Sequence, residues 1–244
     1  MTNTHFGFKT VDIEEKTSLV RDVFNTVATR YDIMNDAMSF GMHRWWKHEF
    51  VGDIDMRPNM RCLDVAGGTG DIAFRLLKRG AAEVTVCDIN QAMLEEGRKR
   101  ADDRNILSNI EWLCGNAEEL PLPDNAFQLY TIAFGIRNVT HIDKALAEAF
   151  RVLAPGGRFM CLEFSHMQSD MLAKAYDSYS FNIIPKLGKA IAGDSAPYQY
   201  LVESIRRFPT QEKFEQMIQK AGFRQARYKN LAGGAVAIHS GYKV

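Results

Sequence analysis

The stretch Arg61–Phe74, "RCLDVAGGTGDIAF", constrains this chain more than any other. An apolar run ends in an acid, Asp64. Small residues follow from Ala66 to Gly70, and apolar residues then recur at helical spacing. This is the pattern of a strand, a glycine turn and a helix N-terminus, the arrangement that holds nucleotide-like ligands. A β/α alternation continues from it. Strands are predicted at 61–66, 83–88, 109–114, 127–133 and 158–163, and helices at 70–79, 90–102 and 141–153. Asn90 is placed to cap the second of those helices, and Thr140 with Asp143 resembles a capping box before the third. A helix at 211–221 and two strand-like runs, 223–231 and 235–243, the latter two flanking "AGG" as a hairpin, close the chain. The expected fold is α/β. It is a Rossmann-like sheet of seven strands, mostly parallel, with helices on both faces and the last strand antiparallel.

Residues 12–30 read as an amphipathic helix, with Val20, Val23, Phe24, Val27 and Tyr31 at helical spacing. The segment "YDIMNDAMSFGMHRWWK" follows, aromatic, rich in methionine and broken by Gly41. Residues 168–207 are helical in pattern but interrupted by Pro185 and Gly193. The 244 residues are expected to form one domain, with an N-terminal helical and lid segment over 1–58 and a helical insertion over 166–208.

Composition excludes several classes. The formal net charge is zero, which argues against a broad nucleic-acid surface. No apolar run approaches the ~20 residues of a membrane span, and the N-terminus has no signal-peptide core. A cytoplasmic location follows as the expectation. The four cysteines form no C-x-x-C pair and sit in or beside strand-like runs, so they read as buried, reduced thiols. The histidines do not cluster, and no metal site is expected.

Two ligands fit the glycine turn. Gly68-x-Gly70-x-x-Ala73 matches the dinucleotide fingerprint, with Asp88 at a suitable distance for a ribose. The alternative is the turn that binds S-adenosylmethionine. In that reading Asp64 accepts hydrogen bonds around the amino-acid part of the ligand, the glycines permit close backbone approach, and Asp88 takes both ribose hydroxyls. Three features favour the methyl donor. "GNAEELPLPDNAF" looks like an adenine loop, with the Asn116 side chain and the Ala117 backbone meeting the base. No Tyr-x-x-x-Lys pair occurs. The C-terminal hairpin completes the sheet and leaves no separate catalytic domain.

The chain resembles the ubiquinone/menaquinone biosynthesis C-methyltransferase family of class I S-adenosylmethionine-dependent enzymes. The resemblance spans nearly the whole chain. It rests on "RYDIMNDAMSFGMHRWWK", "LDVAGGTGDIAF", "CDINQAML", "GNAEELP", "FGIRNV", "RVLAPGG", "LEFS", "AYDSYSFNIIPKLG", "YQYLVESIRRFP" and "GGAVAIHSGYK". By motif it implies that Thr69, Asp88, Asn116 and Ala117 contact the donor. Some members carry a serine before Phe-Gly where this chain has Ala133, so a hydroxyl contact there is lost and the neighbouring backbone remains. The resemblance further implies methylation of a ring carbon of a polyprenylated benzoquinol or naphthoquinol.

Ring methylation requires an ionised phenol. With a free pKa of ~10, ionisation at pH 7 costs ~4 kcal/mol. One cation ~4 Å away at an effective dielectric of ~20 supplies about that much. Arg137, after the fourth strand of the alternation, is the candidate. Asn138 is expected to fix a ring oxygen, and Tyr31 and Asn35 to close the site. Met34, Met38 and Met42 suit either a lipid-tail wall or ordinary core. Lys186 and Lys189 flank apolar residues and suit peripheral contact with the inner face of the membrane, a homodimer contact or a cap. An RNA methyltransferase and a non-catalytic donor-binding subunit of a quinone-biosynthesis complex are the rival functions. "AFGIRN" stands where base-methylating enzymes often carry Asn/Asp-Pro-Pro-aromatic, and the intact donor motifs speak against the second rival.

Overall fold

A computed structural model describes residues 3–12, 15, 16, 18–20, 36, 39, 41–106, 108–168 and 196–244. The elements are β1 (Asn3–Phe6), β2 (Lys9–Asp12), α1 (His43–Gly52), β3 (Arg61–Val65), α2 (Asp71–Lys78), β4 (Glu83–Asp88), α3 (Gln91–Asp103), β5 (Ile110–Cys114), β6 (Phe127–Ala133), α4 (Ile142–Val152), β7 (Leu153–Phe164), α5 (Ala196–Arg207), α6 (Gln211–Lys220), β8 (Arg224–Leu231) and β9 (Val236–Tyr242).

The seven-stranded sheet has the order β5-β4-β3-β6-β7-β9-β8. The pairs from β5 to β7 are parallel, and β9 runs antiparallel to both β7 and β8. The predicted fold class is therefore the one observed. The chain steps outward from β3 to β5, then returns to the other side of β3 with β6. That reversal opens a crevice at the carboxyl ends of β3 and β6, where α/β sheets bind ligands.

The alternation along each strand feeds two cores. Cys62, Val84, Val86, Met160 and Leu162 face one side with Trp46 and Phe50 of α1, Ile72 and Leu76 of α2, and Val202 and Ile205 of α5. Leu63, Val65, Ile132, Phe159 and Cys161 face the other with Leu146 and Ala149 of α4, and Phe214 and Ile218 of α6. Both faces are covered, which is what near-continuous apolar strands require.

Four local expectations differ from the structure. Helix cannot begin at residue 12, because β1 and β2 form an antiparallel hairpin through Gly7 and Phe8. Gly7 has φ +58°, the conformation that a two-residue hairpin loop demands. Described helical residues begin at Glu15. The Thr140–Asp143 capping box does not form; no side chain of α4's own N-terminus caps it. Glu118, in the loop after β5, instead holds the residues that lead into the helix, its Oε1 accepting from the backbone N–H of Thr140 at 2.9 Å and of His141 at 3.0 Å. β7 begins at Leu153 and runs through "APGG" instead of starting at 158. Cys114 is exposed at the end of the edge strand β5, whereas Cys62, Cys87 and Cys161 are buried, and burial pushes the Cys62 and Cys87 thiols up to about 12.

Candidate active site

The crevice is a cleft of about 800 Å³, counting its open mouth, between the glycine turn, the end of β4, the adenine loop and the loop after β6. Val65, Ala66 and Gly68 form its floor, and Asp88 stands at one side. Asn116 and Ala117 line it from the loop after β5, and Phe134, Gly135 and Asn138 from the loop after β6.

The turn is held by its own carboxylates. Asp88 Oδ2 accepts from the Gly68 N–H at 2.8 Å and Oδ1 from the Asn90 N–H at 2.8 Å. Burial pushes the Asp88 carboxyl up, and these backbone donors work against that. A carboxylate has about four acceptor directions, so both oxygens retain capacity for a diol. Asn90 caps α3 as expected, accepting from the Met93 N–H at 3.2 Å. Gly70 has φ +82°, and a Cβ there would stand 2.6 Å from Trp112, so only glycine fits where the turn enters α2.

Asp64 is fully buried. Its Oδ1 accepts from the Thr131 hydroxyl at 2.8 Å, while Oδ2 has no partner among the described residues. Burial pushes this carboxyl up to about 7. A buried oxygen without a donor is costly unless a ligand supplies one. The ammonium of an amino-acid moiety is the kind of group it fits, although Asp64 does not itself line the cleft and its Oδ2 lies against Gly67; the first turn of α2 already carries Asp71, which is paired with Lys47 and Arg75.

Arg137 lies in the short 3₁₀ turn Ile136–Asn138 after β6. Its Nη1 donates to Glu163 Oε1 at 2.6 Å and to the Phe134 carbonyl at 2.8 Å, and its backbone N–H donates to Glu163 Oε2 at 3.3 Å. The guanidinium carbon is 5.3 Å from the Phe164 ring centroid. Asn138 Oδ1 accepts from the Tyr200 hydroxyl at 3.0 Å.

The model of the ubiE/COQ5 methyltransferase family matches residues 10–243. The chain belongs to this family. Ubiquinone/menaquinone biosynthesis C-methyltransferase UbiE of Brucella abortus (strain S19) is 58% identical to it over 243 residues, covering 98% of this chain and 90% of that one. The mitochondrial 2-methoxy-6-polyprenyl-1,4-benzoquinol methylase of Danio rerio is 52% identical over 277 residues, covering 99% of this chain and 85% of that one. Two solved structures share the fold. A methyltransferase bound to the Trm112 activator from Haloferax volcanii has a TM-score of 0.67 at 14% identity and covers 92% of this chain and 97% of that one. A S-adenosylmethionine-dependent methyltransferase from Thermotoga maritima has a TM-score of 0.62 at 20% identity, covering 92% of this chain and all of the other.

As a member of the ubiE/COQ5 family the chain is a methyltransferase, and S-adenosylmethionine is its methyl donor. The donor supplies an electrophilic sulfonium methyl; the protein supplies position and charge. Asp88, Gly68, Asn116 and Ala117 line the cleft where the sequence reading puts them. Thr69 and Gly70 stand behind the turn. Thr69 is buried and accepts from Arg100 Nη1 at 3.1 Å, and Gly70 packs on Trp112. Ala133 is also outside the cleft wall: it ends β6 beside Leu162 and packs into the core, and Phe134 and Gly135 take its place.

Arg137 needs correction as a lone cation. Its field at a ring ~4 Å away is worth about 4 kcal/mol at an effective dielectric of ~20, but a carboxylate ~7 Å from the same ring removes about 2 kcal/mol of it. Tyr31, Asn35, Met34, Met38, Lys186 and Lys189 lie outside the described residues. Met42 is exposed. Four site residues escaped the sequence reading: Glu163, Glu118, Tyr200 and Lys16. The acid in "LEFS" was the one local signal for Glu163.

Proposed function

We propose that the protein transfers the methyl group of S-adenosylmethionine to a ring carbon of a polyprenylated benzoquinol, of demethylmenaquinol, or of both, in ubiquinone and menaquinone biosynthesis. The observation that carries this reading is the junction at residues 137–140. Asn138, Val139 and Thr140 line the donor cleft, and Arg137, Val139 and Thr140 line a second cavity with Tyr200, so a donor site and an acceptor-sized space meet at one short loop. The relatives' printed activities supply the acceptor class.

Each residue then has a task. Asp64, Gly68, Asp88, Asn116 and Ala117 hold the donor. Thr69 and Gly70 shape the turn behind it. Asn138 meets a ring oxygen, and Arg137 with Glu163 polarises the ring from the far side. The prenyl tail resides in lipid, so the enzyme meets its substrate by peripheral contact with the membrane surface. The exposed Trp45, Met42 and Phe8 support this, and no described helix is long and apolar enough to cross a membrane.

Purified protein, labelled donor and short-tailed benzoquinol and naphthoquinol analogues test the reading. Mass spectrometry should find one methyl group on a ring carbon. Methyl on oxygen, or no transfer to either ring, overturns it. Liposome co-sedimentation tests the membrane contact, and light scattering reports whether a homodimer is the working form.

A further inference from the structure

We propose that Lys16 accepts the proton of the acceptor's ring hydroxyl. The inference rests on the quinol reading above and concerns a residue outside the motifs that carry it. Lys16 lies on the N-terminal segment, its residue only 7% exposed. Among the described residues its Nζ donates one hydrogen bond, to the Val139 carbonyl at 3.1 Å, across 123 positions of chain. No carboxylate stands within ion-pair distance of it among the described residues. It lines the second cavity with Arg137 and Tyr200, and that cavity borders the donor cleft at Val139 and Thr140.

The groups that face Lys16 leave it the role. Glu118 attracts it through space, but that carboxylate already receives the backbone N–H groups of Thr140 and His141, and its Oε2 lies 2.6 Å from His141 Nδ1. Arg137 is committed to Glu163 and does not give up its proton. Tyr200 donates its hydroxyl to Asn138, and burial pushes that phenol up. His5 and Arg207 border the same cavity, but His5 is exposed and arginine stays charged. Burial lowers the pKa of Lys16 from its ordinary value, with Glu118 opposing. Desolvation of the ammonium favours the neutral amine, the form that accepts a proton.

The step balances within the pair. The ring O–H bond breaks and its electrons stay on oxygen, while the Nζ lone pair forms the new N–H bond. The resulting ammonium stays beside the quinolate. That restores the cationic field which Glu163 removes from Arg137.

The test uses the full chain and a short-tailed quinol analogue whose anion absorbs at longer wavelength than the phenol. Bound without donor at pH 7, the wild type should show the anion spectrum and Lys16→Met the neutral one. Lys16→Met should keep its S-adenosylmethionine affinity, which also reports folding, and lose roughly 10²–10³-fold in turnover, the scale of general-base catalysis. That deficit should shrink toward pH 10. Lys16→Arg should stay slow at pH 7, because it supplies charge without a proton acceptor. Lys16→Gln, which can still donate to Val139, replaces the methionine variant if that one loses donor binding. An anion spectrum in the neutral variants, turnover near wild type, or full rescue by arginine overturns the proposal. Wild-type protein that methylates no quinol overturns the functional reading instead.

Discussion

Arg137 Nη1 and Glu163 Oε1 are 2.6 Å apart, and their side chains are only 4% and 1% exposed. A buried pair of this kind gains little over an apolar replacement of both partners, but removing one partner strands a charge. Glu163→Gln and Arg137→Met should each cost about 3–5 kcal/mol of stability. The double variant should cost less than the sum. Denaturant unfolding of all four proteins of the cycle measures this, and strict additivity would mean that the pair carries no coupling.

Asp64 should link donor binding to pH. Its folded carboxyl sits at about 7, against an ordinary value of 3.8, because burial opposes its charge. The stability from holding that proton is fully present below about pH 4 and is lost as pH rises through 7, by about 1.4 kcal/mol per unit in between. An ammonium beside Oδ2 favours the ionised form, so donor binding should release a proton near pH 6–7 and tighten as pH rises. Calorimetry in buffers of different ionisation enthalpy detects the release. Asp64→Asn should abolish both the release and that part of the pH slope of stability.

Asp88→Ala should weaken S-adenosylmethionine binding by ~2 kcal/mol or more. It removes a charged acceptor for the ribose and also leaves the Gly68 and Asn90 N–H groups without their partner. Unchanged donor affinity together with newly weakened NAD binding would return the glycine turn to the dinucleotide reading.

Tyr200→Phe removes the hydroxyl that fixes the Asn138 amide. A neutral hydrogen bond is worth ~1 kcal/mol, so kcat should fall about five- to tenfold while donor affinity holds. An equal loss in donor affinity would place Asn138's task on the donor instead.

The strand and helix pattern from Arg61 onward was legible because it is local. Period-two and period-3.6 spacing, the Asn90 cap and the glycine at position 70 depend on residues a few places apart. The cleft-lining residues Gly68, Asp88, Asn116 and Ala117 could be singled out for the same reason: each sits at or just after a strand end, and strand ends are visible in the sequence. The rest depended on which elements become neighbours. Glu118 fixes the residues before α4 from 22 positions away, and Glu163 offsets the charge of Arg137 from 26. Phe6 stacks on Tyr200 at 4.1 Å, which ties the N-terminal hairpin to α5. Cys114 is exposed because β5 falls at the sheet edge, though its local sequence resembles that of the buried thiols. Periodicity states which face a residue occupies. The strength of the charge that Arg137 can exert is set by its ion pair with Glu163 on the neighbouring strand β7, and that neighbour exists only once the sheet has formed.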